Sequence, residues 1–359
     1  MTNSRHSCFI PVNSLFSEVN SHTRTIDELT WKRRSIILIW MVGEASGGRN
    51  DVKDTTLDTF DPLQSGPDTV AVREKDLRVS WRANIPFVGV HAGCLLVLWS
   101  GISPIAALVG LATLLTRMFG LTGGYHRYFC HRSFKTTRAF QFVMAVLGAA
   151  AAQRGPLWWA GHHRSHHRHS DTAADVHPPG IRGFFWAHIG WVMCPAHNRT
   201  RTEWVPDLIR FPELRWLDRH HYVAPIALAI GLFLAGELLA QSTPSLGTSG
   251  LELLAVGFFL STTVLYHVTF AVNSVGHTVG RRRYATRDTS RNGLLLALVT
   301  AGEGWHNNHH RYPTSERQGF YWWEIDATHY VVTLLSWLRI VWDIRGPSAA
   351  VLAEGQKRA

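Results

Sequence analysis

A chain of 359 residues can bury a large core, and with 46 % apolar residues, 15 Trp and 21 His it is unusually rich in the last two. Its formal charge of +10 would suit nucleic acid, but the basic residues flank apolar runs long enough to span a bilayer, which is a membrane protein's pattern and argues against a nucleic-acid partner. The four cysteines, Cys8, Cys94, Cys130 and Cys194, are widely spaced without a CxxC pair, which argues against a zinc ribbon or a disulfide framework.

Residues 1–80 are polar, rich in Ser, Thr and Asp, and lack sustained periodicity, so they read as a disordered N-terminal tail. Within them the apolar run 35–42 is too short to span and has no small-residue cleavage site. Met41 would serve equally well as a start. Strong apolar runs follow at about 85–100 and 104–121, parted only by Gly101, Ile102 and Ser103, and then at about 223–240 and 253–272. Each is near the ~20 residues that cross the hydrocarbon layer, which predicts four transmembrane helices in two hairpins.

Neither hairpin tip carries Lys or Arg, whereas every other connection does. Arg73, Lys75, Arg78 and Arg82 precede the first span; Arg127, Arg132, Lys135 and Arg138 follow the second. Arg199, Arg201, Arg210, Arg215 and Arg219 precede the third, and Arg281, Arg282, Arg283 and Arg287 follow the fourth. The positive-inside rule then puts a multi-pass protein in the cell membrane with both termini and the long central segment in the cytoplasm. Two weaker apolar stretches, 140–152 and 184–194, are too short to span and are expected at the interface or under a cytoplasmic helical cap. Trp158, Trp159, Trp186, Trp191, Trp322 and Trp323 suit that depth. The fold expected is an all-α integral membrane protein, with a short C-terminal tail at 346–359.

The histidines concentrate in three boxes: His126-Arg-Tyr-Phe-Cys-His131, His163-Arg-Ser-His166-His167 and His306-Asn-Asn-His309-His310. In HxxHH the three histidines stand at i, i+3 and i+4, one face of a helix, which suits metal binding and little else. In HxxxxH they point about 140° apart on an ideal helix, so the helix must end or bend there, or the two must serve different metals. Eight histidines exceed the needs of one ion, and two metals with about four nitrogen ligands each is the simplest count. Zinc does no redox chemistry, whereas iron can activate dioxygen beside an acyl chain. The isolated His6, His22, His91, His197, His220, His221 and His329 read as packed or hydrogen-bonded residues, and His162 and His169 as residues behind the ligands or at the surface.

These motifs resemble the membrane-bound fatty acyl desaturases, and most of all the Δ9, stearoyl-CoA desaturase-like branch in its bacterial form. The resemblance runs over about 81–345 and includes Gly124-Tyr-His126, Gly302-Glu-Gly-Trp-His306, Asn273-Ser-Val-Gly-His277, Asp175-Val-His177 and Gly183-Phe-Phe-Trp-Ala-His188-Ile-Gly-Trp191. It implies a ninth histidine ligand, His277, and an asparagine, Asn273, that reaches one metal through water. It also implies two Fe ions, O2 as co-substrate, a saturated acyl thioester or acyl lipid in a bent apolar tunnel, and a cis double bond as the product. Asp171, Asp175 and Glu303 are candidates for holding the outer ring nitrogens of ligand histidines.

Two departures from that pattern matter. The Arg-Asp pair that animal members use for CoA reads Gly161-His162 here, and Arg154 stands where those members have an Asn. The carrier is therefore open among CoA, acyl carrier protein and glycerolipid. No fused cytochrome b5 follows the last motif, so a separate ferredoxin-, rubredoxin- or cytochrome b5-like donor is expected, docking on the Arg-rich face if it is acidic. Membrane hydroxylases and alkane monooxygenases use similar boxes and form the first rival reading. A metal transporter is the second, and it would require ligands dispersed along the spans.

Overall fold

The computed structural model describes residues 76–357, so Met41, the run 35–42 and nearly all of the expected N-terminal tail lie outside the described residues. Helices α1 (Arg82–Ser100) and α2 (Pro104–Cys130) form the first hairpin. The strand β1 (Lys135–Thr136) leads into α3 (Arg138–Ala149) and α4 (Pro156–His169). An irregular segment with short helical turns then reaches α5 (Pro212–Arg219). Helices α6 (Val223–Ser242) and α7 (Gly250–His277) form the second hairpin. The short α8 (His306–Arg311), α9 (Ala327–Trp337), the strand β2 (Val341–Trp342) and α10 (Ala349–Lys357) complete the chain. Among the described residues, extended pairing is confined to the two-residue antiparallel ladder of β1 with β2 and two isolated bridges at Asn292, and the regular structure is otherwise helical. Helices α1, α2, α6 and α7 are each long and apolar enough to cross a membrane, and the protein is an integral membrane protein.

Local chemistry accounts for the helix ends. Ser103 caps α2 by accepting the Ala106 N–H, with Pro104 at the first turn, where its missing N–H costs nothing. Thr137 caps α3 and Asp326 caps α9 in the same way. The start of α4 follows Gly155 and lacks a cap of its own; Asp218 of α5 supplies one, its Oδ1 accepting the Trp158 N–H at 2.8 Å.

Two helices run on beyond their expected spans. Helix α2 continues from about 121 to Cys130, and α7 begins at Gly250 and continues from about 272 to His277. Every residue of 120–130 is buried. Hydropathy therefore marks where α2 meets lipid, whereas the helix itself persists inside protein, where its backbone stays satisfied whatever its side chains are. The segment 346–357 also departs from a tail: α10 packs Val351 against Tyr284, Phe320 and Tyr321, and the two tyrosine hydroxyls donate to the Val351 and Leu352 carbonyls.

The four long helices are unequal. Of its apolar window α1 buries 6 % and α7 buries 56 %, so α7 is the axis of the bundle and α1 its most lipid-exposed member. Small residues set the close approaches: a Cβ on Gly236 of α6 would lie 2.4 Å from the Ser249 carbonyl oxygen. Arg117 of α2 is buried at the α2–α7 contact and donates to Ser261 and Thr262 hydroxyls at 2.6 Å and to the Thr113 carbonyl. Polar links also tie α1 to α7, because His91 Nε2 lies 3.1 Å from His267 Nε2 and Cys94 Sγ lies 3.2 Å from the Thr263 hydroxyl.

Beneath α2, helix α3 packs tightly enough that a Cβ on Gly120 would fall 2.5 Å from the Leu147 carbonyl carbon. Gly120→Val is expected to destabilise the protein by about 1–3 kcal/mol, read as a lowered thermal midpoint in detergent. An unchanged midpoint would show that this contact is slack.

Candidate metal centre

Each histidine-bearing element meets a spacing problem. From Gly120 to Cys130 helix α2 widens into π geometry, whose hydrogen bonds close from i to i+5. The His131 N–H donates to the His126 carbonyl at 3.3 Å, so residues five apart come to lie one turn apart. The helix then ends. Both histidines of the first box thus enter one cluster and do not serve separate ones.

Helices α4 and α8 divide their boxes. His163 and His167 of α4 and His309 of α8 join His126 and His131 in a cluster of five. His166 of α4 with His306 and His310 of α8 join His277, the last residue of α7, in a cluster of four. Helix α8 has only six residues, too few to stand alone, and buried asparagines hold it. The Asn292 carboxamide oxygen accepts the Asn307 and Asn308 N–H groups at 2.9 and 3.1 Å, and Asn308 Nδ2 donates to Glu324 at 2.8 Å.

Inside each cluster ring nitrogens face ring nitrogens. In the first, the Nε2 pairs His126–His309, His131–His163, His163–His167 and His167–His309 are 2.9, 2.9, 3.0 and 2.9 Å apart. In the second, His277 and His306 meet at 3.0 Å, while Nε2 of His166 and of His310 are buried with no hydrogen-bond partner. Two donor atoms about 2.1 Å from a shared ion, at right angles, would be about 3.0 Å apart. The donor set therefore fits two metal ions, and its chemistry suits a transition metal.

Protonation agrees with this fit. Burial first, and mutual repulsion second, push His131, His163, His167, His306 and His309 well below the usual imidazole range. His310 falls to about 4, burial outweighing the Asp288 carboxylate. At neutral pH these rings are uncharged and have lone pairs to share.

Carboxylates stand behind the second cluster. His166 Nδ1 donates to Asp175 at 2.9 Å, His277 Nδ1 to Asp171 at 3.0 Å and His310 Nδ1 to Asp288 at 2.8 Å. A donating Nδ1–H leaves the Nε2 lone pair pointing inward. Burial opposes ionisation of Asp171, but the hydrogen bond from His277 brings it down to about 2. In the first cluster only His126 has such support, from Glu303. Glu303 also receives Gln318 Nε2 at 2.9 Å and lies 3.3 Å from the Arg127 guanidinium.

A cavity of about 560 Å³ reaches both clusters. Phe87 and Val90 of α1, Leu121 of α2, Ile226 and Ala229 of α6 and Tyr266 and Phe270 of α7 give it an apolar wall. At its polar end stand His126 and His163 of the first cluster, His166 and His306 of the second, and Asn273 and Glu303.

The profile of the fatty acid desaturase family matches residues 102–335. Over 264 residues, 71 % of this chain and 87 % of the relative, the sequence is 38 % identical to an sn-2 palmitoyl-lipid 9-desaturase of Nostoc sp. (strain 36). It is 35 % identical to an sn-1 stearoyl-lipid 9-desaturase of Anabaena variabilis, over 77 % of this chain and 97 % of the relative. An acyl-CoA C20 Delta5-desaturase of Anemone leveillei is 34 % identical over 78 % and 89 %. The chain belongs to the fatty acid desaturase family. It is an oxidoreductase whose histidine clusters can hold metal ions and whose apolar-walled cavity reaches both of them.

Several residues around this desaturase site escape a reading of the sequence. Asp288 backs His310 from an irregular loop with no periodicity, and its only signal is an acidic residue placed between the Asn273–His277 motif and the third box. Arg127 reads as a topogenic charge but is buried among Glu303, Glu316 and Asp326. Gly302 has φ +117°, and a Cβ there would lie 2.3 Å from Asp326 Oδ1 and 3.1 Å from Arg127 Nη2, so only glycine fits beside the Arg127–Asp326 pair. His177 packs on His166 with ring centroids 4.2 Å apart. His162 turns away to donate to the Trp158 carbonyl, and His169 to that of Ser165. The transporter reading needed dispersed histidines, and the structure gathers them.

Asp175→Asn keeps the shape but weakens the acceptor on His166. A loss of about 10–100-fold in metal affinity is expected, falling on the cluster of four, as measured by metal content and titration of the purified protein. Full, equally tight loading of both sites would contradict it.

Proposed function

We propose that the desaturase holds two iron ions, one among His126, His131, His163, His167 and His309 and the other among His166, His277, His306 and His310. Asn273 reaches the second through water, and Asp171, Asp175, Asp288 and Glu303 orient the rings. When bound, the iron pair supplies the chemistry: with two electrons and two protons from outside and two hydrogens from adjacent methylenes, one O2 becomes two waters and the chain gains a cis double bond.

The protein's own part is positional. The apolar wall from Phe87 to Ala229 holds the chain and excludes water, and only the end beside His126, His163, His166 and His306 presents a methylene pair to the clusters. The observation carrying this reading is that a single apolar cavity touches histidines of both clusters. The names of the relatives favour Δ9 and an acyl lipid substrate. The same carrier is favoured by Gly161-His162 standing in place of the CoA-binding pair, with His162 committed to the Trp158 carbonyl.

The charge pattern puts both termini and the site on the cytoplasmic side. Electrons come from a separate acidic carrier of the ferredoxin, rubredoxin or cytochrome b5 kind, docking on the Arg-rich face. The test is expression in a host of known lipid profile, followed by location of new double bonds. A Δ9 cis-monoene is expected, and His166→Ala or His309→Ala, one from each cluster, should abolish it while leaving membrane insertion intact. A hydroxy acid without a double bond would instead make the enzyme a hydroxylase, and retained activity in either variant would remove that histidine from the ligands.

A further inference from the structure

A second pocket of about 370 Å³ adjoins the acyl cavity and shares Arg154, Trp158 and His221 with it. Its outer rim carries Arg215 and Arg219, both exposed on α5. One carboxylate lines it, that of Asp218, and both its oxygens are taken: Oδ1 by the Trp158 N–H and Oδ2 by the Thr200 hydroxyl at 2.7 Å. Three guanidinium groups therefore face one committed carboxylate.

Arg154 is the built part of this site. It is half-buried at the junction of the two cavities, donates to the Asn198 side chain and stands over the Trp158 ring at 5.5 Å. Its φ of +69° is a conformation that costs a non-glycine residue free energy and collects at functional sites. Burial lowers its pKa, and the weaker influence of Tyr222 and Asp218 does not offset that. Among the described residues no carboxylate forms an ion pair with Arg154, Arg215 or Arg219. A desolvated guanidinium that forms no ion pair, its nearest carboxylate already committed elsewhere, is held ready for an anion, and its planar fork matches phosphate oxygens.

The depth of the pocket selects the source of that anion. Arg215 and Arg219 lie just before α6 begins its crossing at Val223, and Trp216 and Tyr222 are exposed beside them. That is the level of lipid headgroups. In a glycerophospholipid the phosphate lies a few bonds from the acyl ester, so the acyl chain can fill the first cavity while the phosphate sits in the second. The phosphopantetheine arm of CoA or acyl carrier protein places its phosphate many bonds further out, and a galactolipid has none.

We propose that this pocket binds the phosphate of a glycerophospholipid whose acyl chain occupies the apolar cavity, with Arg154 as the inner contact and Arg215 and Arg219 as the outer ones. The proposal rests on the reading of the cavity as the acyl site and makes a phosphoglycerolipid the substrate class.

The test uses the full chain, metal-loaded, in nanodiscs with matched stearoyl chains on phosphatidylglycerol or on monogalactosyldiacylglycerol, with stearoyl-CoA as a third arm. The kcat/KM for phosphatidylglycerol should exceed each of the others at least tenfold. Arg154→Gln, and separately the exposed pair Arg215→Gln with Arg219→Gln, should shrink that ratio toward one. Native mass spectrometry of lipid retained by the purified protein gives the same ranking without any electron carrier. Equal or reversed preference, or a ratio untouched by the variants, overturns the phosphate site. A double bond away from Δ9, or a hydroxylated product, formed chiefly on phosphatidylglycerol would sink the Δ9 reading and leave the pocket standing.

Discussion

Nine imidazole rings face one another across two small buried spaces, and lone pairs pointed at each other repel unless a cation lies between them. That constraint organises the rest of the molecule. Burial lowers the proton affinity of His131, His163, His167, His306, His309 and His310, which leaves those rings uncharged with lone pairs to share. They must also be aimed, which requires partners for the outer nitrogens. Around the cluster of four, three carboxylates do this; around the cluster of five, one does. The two histidine clusters are thus electrostatically unequal although they share helices α4 and α8.

The long helices are subordinate to this centre. Helix α2 leaves regular α geometry where it enters the site and widens so that His126 and His131 face the same way. A π segment gives up hydrogen-bond quality for a functional register, and its burial against α3 and α4 holds it there. Helix α7 serves as the bundle's axis and delivers His277 with its last residue. Helix α8 contributes three ligand-type side chains from six residues, and the asparagine network around Asn292 supplies the stability that so short a helix lacks.

The large apolar cavity and the smaller pocket meet at Arg154, Trp158 and His221. Residues of α1, α6 and α7 give the cavity its apolar wall, whereas the junction beside Trp158 carries the Arg154 guanidinium. Such a boundary suits the proposed substrate, a long apolar chain with a charged group close to its ester, because each end would be desolvated only where it is compensated.

Much of this was legible in the sequence. The four spans follow from apolar runs that lipid demands, and the three boxes stand out because clustered histidines at helical spacing have few other uses, whereas Asn273 and His277 were legible only through the family resemblance. The departures have one physical cause. Hydropathy reports the environment of a side chain, so it lost α2 and α7 where they leave lipid for protein, and it took the α10 segment for a tail although Val351 is buried. Spacing along a helix could not decide which face an i, i+5 pair would share, since that depends on π geometry stabilised by packing. The division of nine histidines into five and four, the pairing of Asp288 with His310, and the juxtaposition of Arg154 with Arg215 and Arg219 were settled by tertiary structure alone. Each depends on segments remote in the chain meeting in space, which no local pattern encodes.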